Sequence, residues 1–329
     1  MAEMVRITDV SPRDGLQNEA GVIPTAEKVE LVRLLCETGV DEVEVSSFVS
    51  AKWVPQLGDA AEVFAGLANS KPDRISFSAL VPNEKGMDGV EAVNAAAGRQ
   101  LIDKISLFTA ASETFSKKNT NASIDETLVR FRPVLKRAAL VGLSVRVYVS
   151  CVFACPFEGE IQAKQVAKVV RSVLGLLDHS DFYPSLESRS IFRSLEVDFG
   201  DTIGAGTASK TRFLFETVNQ MPSWDDFAFR DMTKVLHLHD TFGRAADCVK
   251  AALDMGVRSF DSSVAGLGGC PYASTPGKLA PGNISTELLV RTVEAAGYKT
   301  NVDQAKLGVA ADFARRIVAA SRNRGGGGA

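Results

Sequence analysis

Eight short β-branched runs recur along the chain, separated by longer amphipathic stretches. They are Val5–Val10, Glu42–Ser46, Arg74–Leu80, Leu101–Leu107, Ser144–Ser150, Leu195–Phe199, Lys234–His239 and Arg258–Ser263. Strands joined through helices cannot pair as tight hairpins. Each helix returns the chain to the same end of the sheet, so the strands run parallel. Eight such units predict an α/β fold of the (β/α)8 kind, a TIM barrel, which needs roughly 250 residues. The 329 residues accommodate one. A doubly wound open sheet is the alternative, and no G-x-G-x-x-G follows the first run to support its dinucleotide-binding form. The barrel is expected over residues 1–300, a helical extension over 301–324 with its helix from Gln304 to about Ser321, and a disordered glycine-rich tail over 325–329.

Helix ends are written into the sequence. Thr25 is positioned to cap the first helix and Gly39 to stop it. Ser123-Ile-Asp-Glu126 reads as a capping box, and Pro133 within that helix predicts a kink or a late start. Another helix spans about Ser285–Ala296 and ends at Gly297. The connections Asp178–Arg193 and Pro222–Thr233 are long. They precede strands, which assigns them to stability or assembly rather than to chemistry.

Lys plus Arg total 37 and Asp plus Glu 40, a formal charge of −3. No basic excess exists to neutralise a phosphate backbone, so no nucleic-acid partner is expected. No apolar run reaches the ~18 residues of a membrane span, so no membrane partner is expected either. The opening residues Met1–Val10 read directly as a strand, not as a leader. With five scattered cysteines, at 36, 151, 155, 248 and 270, this leads to the expectation of a reducing compartment, the cytoplasm. Cys36 and Cys248 fall in helical patterns and read as core. Cys151 and Cys155 form a C-x-x-x-C pair that is weak evidence for redox function.

The sharpest chemical signal is His237-Leu238-His239-Asp240. Period-two geometry at a strand end points both imidazoles to one side, as metal ligands or as a structural pair. Ser11-Pro12-Arg13-Asp14-Gly15 follows the first strand. Asp14 is a candidate ligand and Arg13 a cation able to stabilise an oxyanion, against the alternative of a simple Asp turn. Ala265-Gly-Leu-Gly-Gly-Cys270-Pro-Tyr272 follows the eighth strand as a loop free to approach a ligand. Cys270 there is either a proton-transfer thiol or incidental. Asn283 is a hard oxygen ligand or an N-cap. Glu44, Ser47, Asp201 and Thr202 complete the set. A barrel gathers the ends of strands one, two, six, seven and eight at one rim, and that convergence supports each assignment.

Taken together, these motifs resemble the 3-hydroxy-3-methylglutaryl-CoA (HMG-CoA) lyase family, within the metal-dependent barrel lyases and Claisen-type synthases. The matching segments are SPRDGLQNE at 11–19, SSFVSAKWVPQLGD at 46–59, SKKN at 116–119, YVSC at 148–151, GDTIGAGT at 200–207, HLHDTFG at 237–243 and DSSVAGLGGCPYA at 261–273. RDG and HxHD are shared with the synthases, whereas RDGLQNE and GGCPY mark the lyase branch. The resemblance implies cleavage of HMG-CoA to acetyl-CoA and acetoacetate through an enolate. It implies Mg²⁺ or Mn²⁺ on Asp14, His237, His239 and Asn283, and Arg13 on the enolate oxygen, held by Glu44. Cys270 would transfer a proton, Ser47, Asn119 and Thr202 would contact the acyl group, and Asp201 and Glu287 would be needed for full activity. An acyl-CoA partner and a homodimer follow from it too. The hydroxyl-proton base stays open between His237 and Asp201. Lys117 and Lys118 are either phosphate contacts or solvated. A lyase for a longer 3-hydroxy-3-alkylglutaryl-CoA, a synthase and a non-enzymatic acyl-CoA-binding barrel are the rival readings. Two departures stand out: residues 274–282 lengthen the path to Asn283, and Asp198 replaces the usual Ser, placing a carboxylate near the expected acyl pocket.

Overall fold

Each β-branched run becomes a strand because its alternate side chains have two different destinations, the barrel axis and the shell of helices. The computed structural model describes residues 2–176, 194–221, 232–275 and 278–325, with side chains throughout except at 270–279 and 325. The barrel strands are β1 (Arg6–Asp9), β2 (Glu42–Ser47), β3 (Ser76–Leu80), β4 (Lys104–Ala110), β5 (Ser144–Ser150), β6 (Leu195–Asp201), β7 (Met232–Leu238) and β8 (Ser259–Ser262). They close in the order β1-β8-β7-β6-β5-β4-β3-β2, every pair parallel. The TIM-barrel expectation is met. Outward residues such as Val43, Phe77, Ile105, Val145, Val197 and Phe260 are fully buried under the helices.

Those helices are α1 (Thr25–Thr38), α2 (Ala60–Leu67), α3 (Glu84–Ala96), α4 (Glu113–Thr120), α5 (Ile124–Leu140), α6 (Ala163–Gly175), α7 (Ala208–Asn219), α8 (Ala245–Asp254), α9 (Thr286–Ala295) and α10 (Gln304–Gly325). The Ser123 capping box forms as read, with Glu126 reaching back to the Ser123 N–H at 2.7 Å. Gly39 ends α1 at φ 93°, a conformation that costs glycine no Cβ strain. Three local expectations need correction. Thr25 is the first helical residue rather than the cap, because its hydroxyl is spent on Asp59 Oδ2 at 2.7 Å. The helix α5 begins at Ile124 and runs through Pro133 without a late start. The fourth strand begins at Lys104, not Leu101, because the Leu101 and Ile102 N–H groups donate to Asn94 Oδ1 at 2.9 and 2.8 Å instead of to a neighbouring strand.

The C-terminal helix extends to Gly325 and packs on α1. Ser321 donates to the Gly21 carbonyl, and Arg322 grips Glu19 at 2.9 and 3.0 Å. The chain behind the β1 loop is thus fastened to the last helix. The connection expected at 178–193, residues 222–231 of the one expected at 222–233, and the tail 326–329 lie outside the described residues, while Met232 and Thr233 already belong to β7. No helix among the described residues is long and apolar enough to cross a membrane.

Candidate active site at the carboxyl ends of the strands

Past β1, Ser11–Gly15 winds into a single wide helical turn in which Val10 O accepts from the N–H groups of Arg13, Asp14 and Gly15. Asp9 anchors that turn. Its carboxylate accepts from Ser11 N at 2.9 Å, Val264 N at 3.0 Å and the Thr286 hydroxyl at 2.7 Å. Burial pushes its acid up to about 6. The turn carries Arg13 and Asp14 into the barrel mouth. Arg13 Nε and Nη2 both reach Glu44 Oε2, at 2.6 and 2.5 Å, and Nη1 reaches Asp14 Oδ1 at 2.5 Å. Burial opposes the guanidinium charge, but the Glu44 and Asp14 carboxylates more than offset it, so Arg13 stays a cation.

Asp14, His237 and His239 present ligand atoms all within 4.8 Å of one another. The two imidazoles tilt at 48° with centroids 5.6 Å apart. His239 bridges to Asn283 along the backbone, which brings the Asn283 amide to 2.8 Å from Asp14 Oδ2. Gly268, at φ 94°, admits this approach, since a Cβ there would sit 2.6 Å from Asn283 Nδ2. The alternative of Asn283 as a cap is ruled out, because Ser285 caps α9. Burial disfavours the Asp14 anion, yet Arg13 and the two histidines bring its acid down to about 2. Burial and the neighbouring His237 push His239 down to about 4. A carboxylate and a neutral imidazole side by side form a donor set for a hard or borderline cation.

The remaining predicted residues divide. Glu44 lies within β2 and Ser47 ends it, both buried. Asp201 ends β6, its two oxygens taking the Ala205 and Gly206 N–H groups at 2.8 Å each. Burial pushes its acid up to about 6. Thr202 accepts from Cys151 N at 2.8 Å. Asn119 sits with Lys117 and Lys118 on the exposed side of α4, and the Lys118 ammonium lies 4.3 Å over the Phe157 ring. Glu287 is brought to the loop rather than to the cluster, accepting from Ala265 N at 3.1 Å and pairing with Arg315 at 3.3 Å. Cys270 opens a two-stranded ribbon, Cys270–Thr275 against Lys278–Ala280, which absorbs the extra residues before Asn283. The Cys270 side chain lies outside the described residues. The free thiols Cys36 and Cys248 are core, as read.

Sequence reading missed what lies beneath. Charged side chains at alternate strand positions point inward: Glu42, Lys104, Arg146, Glu196, Asp198 and Asp261, all at most 2% exposed. Arg146 binds Glu196 at 2.7 Å and Asp261 at 2.8 Å, and Lys104 joins Glu42 and Glu196. Asp261 Oδ2 in turn lies 3.3 Å from His237 Nδ1. Period-two charge within apolar strands was the available signal. Asp198 faces Asp261 there, and burial together with that neighbour pushes its acid far up. It is fully buried, and its ligand atoms lie within 4.8 Å of those of His237 and Asp261, directly under the site. Three buried cations, Arg13, Lys104 and Arg146, pair with five carboxylates, those of Asp14, Glu42, Glu44, Glu196 and Asp261.

Fold and mouth together define a barrel enzyme with a candidate cation site beside a buried, carboxylate-held arginine. The family described as HMGL-like matches residues 4–313, and the chain belongs to that family of carbon–carbon lyases. It is 41% identical over 326 residues to the hydroxymethylglutaryl-CoA lyase of Pseudomonas mevalonii, covering 98% of this chain and 96% of that one. The solved HMG-CoA lyase of Brucella melitensis superposes with a TM-score of 0.80 at 38% identity, covering 97% and 100%. An HMG-CoA lyase from Acinetobacter baumannii, in complex with coenzyme A and 3-methylmalate, follows at 0.78 and 29%, covering 96% and 92%.

Proposed function

We propose that this chain cleaves HMG-CoA to acetyl-CoA and acetoacetate, with Mg²⁺ or Mn²⁺ held by Asp14, His237, His239 and Asn283. The observation that carries the reading is the meeting of two devices on adjacent residues. Arg13, fixed by Glu44, is a cation without a neutral form, and Asp14 completes a cluster with two histidines. A divalent cation there would polarise the substrate oxygens and lower the pKa of the tertiary hydroxyl.

The chain's own groups supply the rest. The hydroxyl proton leaves to Asp201 or His237, the C2–C3 bond breaks, and its electron pair passes into the thioester. Arg13 faces the resulting enolate oxygen, where charge develops. Cys270 then delivers a proton to the acetyl carbon. Ser47, Asn119 and Thr202 contact the acyl group, and Glu287 holds the backbone at Ala265, the foot of the loop that leads to Cys270. A homodimer in the cytoplasm is the proposed working form.

The test is direct. Purified protein given HMG-CoA is expected to release acetoacetate and acetyl-CoA in equal amounts with Mn²⁺ or Mg²⁺ and to stop with EDTA. Intact HMG-CoA after incubation with folded, metal-loaded protein would sink the substrate assignment. Cleavage of a longer 3-alkyl analogue in its place would support the rival reading.

A pH prediction separates the two candidate bases. Asp201 accepts a proton only when ionised, and its acid stands at about 6. kcat/KM should therefore fall about tenfold per unit below that pH. In Asp201→Asn that acid limb should vanish along with most of the rate. Persistence of the limb in Asp201→Asn would assign the base to His237.

A further inference from the structure

Tyr148 stands between the two halves of the site. Its hydroxyl lies 3.2 Å from Glu44 Oε2 and 3.2 Å from Asp261 Oδ2. Glu44 is the carboxylate that holds Arg13, and Asp261 is the one against His237. Arg146 Nη1 donates to the same hydroxyl at 3.5 Å. The ring is walled in as well. The Arg13 and Arg146 guanidinium carbons lie 5.5 and 5.8 Å from its centroid, and His237 meets it edge-on at 6.1 Å. Tyr148 is 7% exposed, so bulk water has no ready access to take over its hydrogen bonds.

We propose that Tyr148 is a positioning residue whose hydroxyl locks the Arg13–Glu44 arm to the Asp261–His237 arm, giving the oxyanion-binding cation and the cation-binding cluster one fixed separation. Two carboxylates facing each other across a gap repel. The single hydroxyl proton, 3.2 Å from each, is shared between them and offsets that repulsion. Without it, Glu44 still has Arg13 and Asp261 still has His237 and Arg146, so each arm survives alone and only the Arg13–Asp14 side of the site sets their spacing. Neither arm would report the loss by itself, which makes coupling the quantity to measure.

In Tyr148→Phe, kcat should fall about 10- to 100-fold with KM within about threefold, the signature of misplaced rather than missing groups. The decisive readout is Mn²⁺ binding by calorimetry, which needs no substrate. Glu44→Gln and Asp261→Asn should change the Mn²⁺ dissociation constant non-additively, by about threefold or more, in the wild-type background. The same pair should become additive in Tyr148→Phe. Additivity with Tyr148 intact, or undiminished coupling in Tyr148→Phe, would overturn the proposal. The wild-type cycle decides even where Tyr148→Phe does not fold. The kinetic arm rests on the proposed function, but the binding arm does not. Protein that binds Mn²⁺ with this coupling yet leaves HMG-CoA intact upholds the lock and overturns only the substrate assignment.

Discussion

Arg13→Gln is expected to lower kcat for HMG-CoA cleavage by about 10²–10³-fold or more, since losing one oxyanion donor costs about 3–4 kcal/mol and here a full charge goes with it. The substitution also strands Glu44, which is fully buried and takes both its strong bonds from Arg13. Removing one partner of a buried ion pair costs about 3–5 kcal/mol of stability. Activity and stability should therefore fall together, and a single variant cannot tell catalysis from scaffolding. The double variant Arg13→Gln with Glu44→Gln separates them. Neutralising the stranded carboxylate should restore most of the lost Tm while leaving kcat at the level of the single variant. Recovery of turnover in the double variant would show that Arg13 serves only to hold Glu44.

Arg146→Met should be among the most destabilising changes in the barrel, by about 3–5 kcal/mol at neutral pH, because it leaves buried carboxylates without their cation. Arg146 is 1% exposed and donates to Glu196, Asp261 and the Thr8 hydroxyl. The effect carries a pH signature. Burial disfavours the Glu196 anion, but Arg146 and Lys104 bring its acid from 4.5 to about 2. Asp261 is likewise held low, chiefly by Arg146 against the cost of burial. Groups held low stabilise the fold above their unfolded pKa and lose that contribution as pH falls toward the folded one. Without Arg146 both acids rise, protonate earlier and cease to be stranded charges. Urea midpoints of wild type and Arg146→Met should therefore converge between pH 7 and pH 4. A gap that stays constant or widens would refute the network account. Asp198→Asn is the internal control. It removes an acid whose anion burial and Asp261 both disfavour and leaves the Arg146 pairs in place, so it should cost less than about 1 kcal/mol.

Legibility in the sequence followed the reach of the interactions involved. Strand β5 was readable to its last residue because its alternation is local. The fourth strand slipped by three residues because Leu101 and Ile102 are apolar yet bound by Asn94, a partner from the preceding helix. At the rim, Arg13, Asp14, His237, His239 and Asn283 were legible as a set. The first four lie at or just past strand ends, which parallel strands bring together, and Asn283 joins them through its backbone bridge to His239. Glu287 was legible as a residue but not as a position, since its contact with Ala265 depends on a left-handed turn at φ 59° that alanine does not announce. The inward charges were visible one by one and unreadable as a network. Whether Glu196 meets Arg146 is decided by strand register, and register is decided by the whole barrel.

A barrel axis built of ions has a thermal consequence. The large heat-capacity increase of unfolding comes from exposing hydrocarbon, and exposing polar groups subtracts from it. In this chain the hydrocarbon lies between strands and helices, while Lys104, Arg146, Glu42, Glu196 and Asp261 occupy the centre. Opening the axis therefore adds little to the curvature of stability with temperature. The penalty for burying charge eases on heating. The innermost layer should be least costly when the enzyme is hot, and the outer apolar jacket, not the axis, sets the temperature at which the barrel lets go.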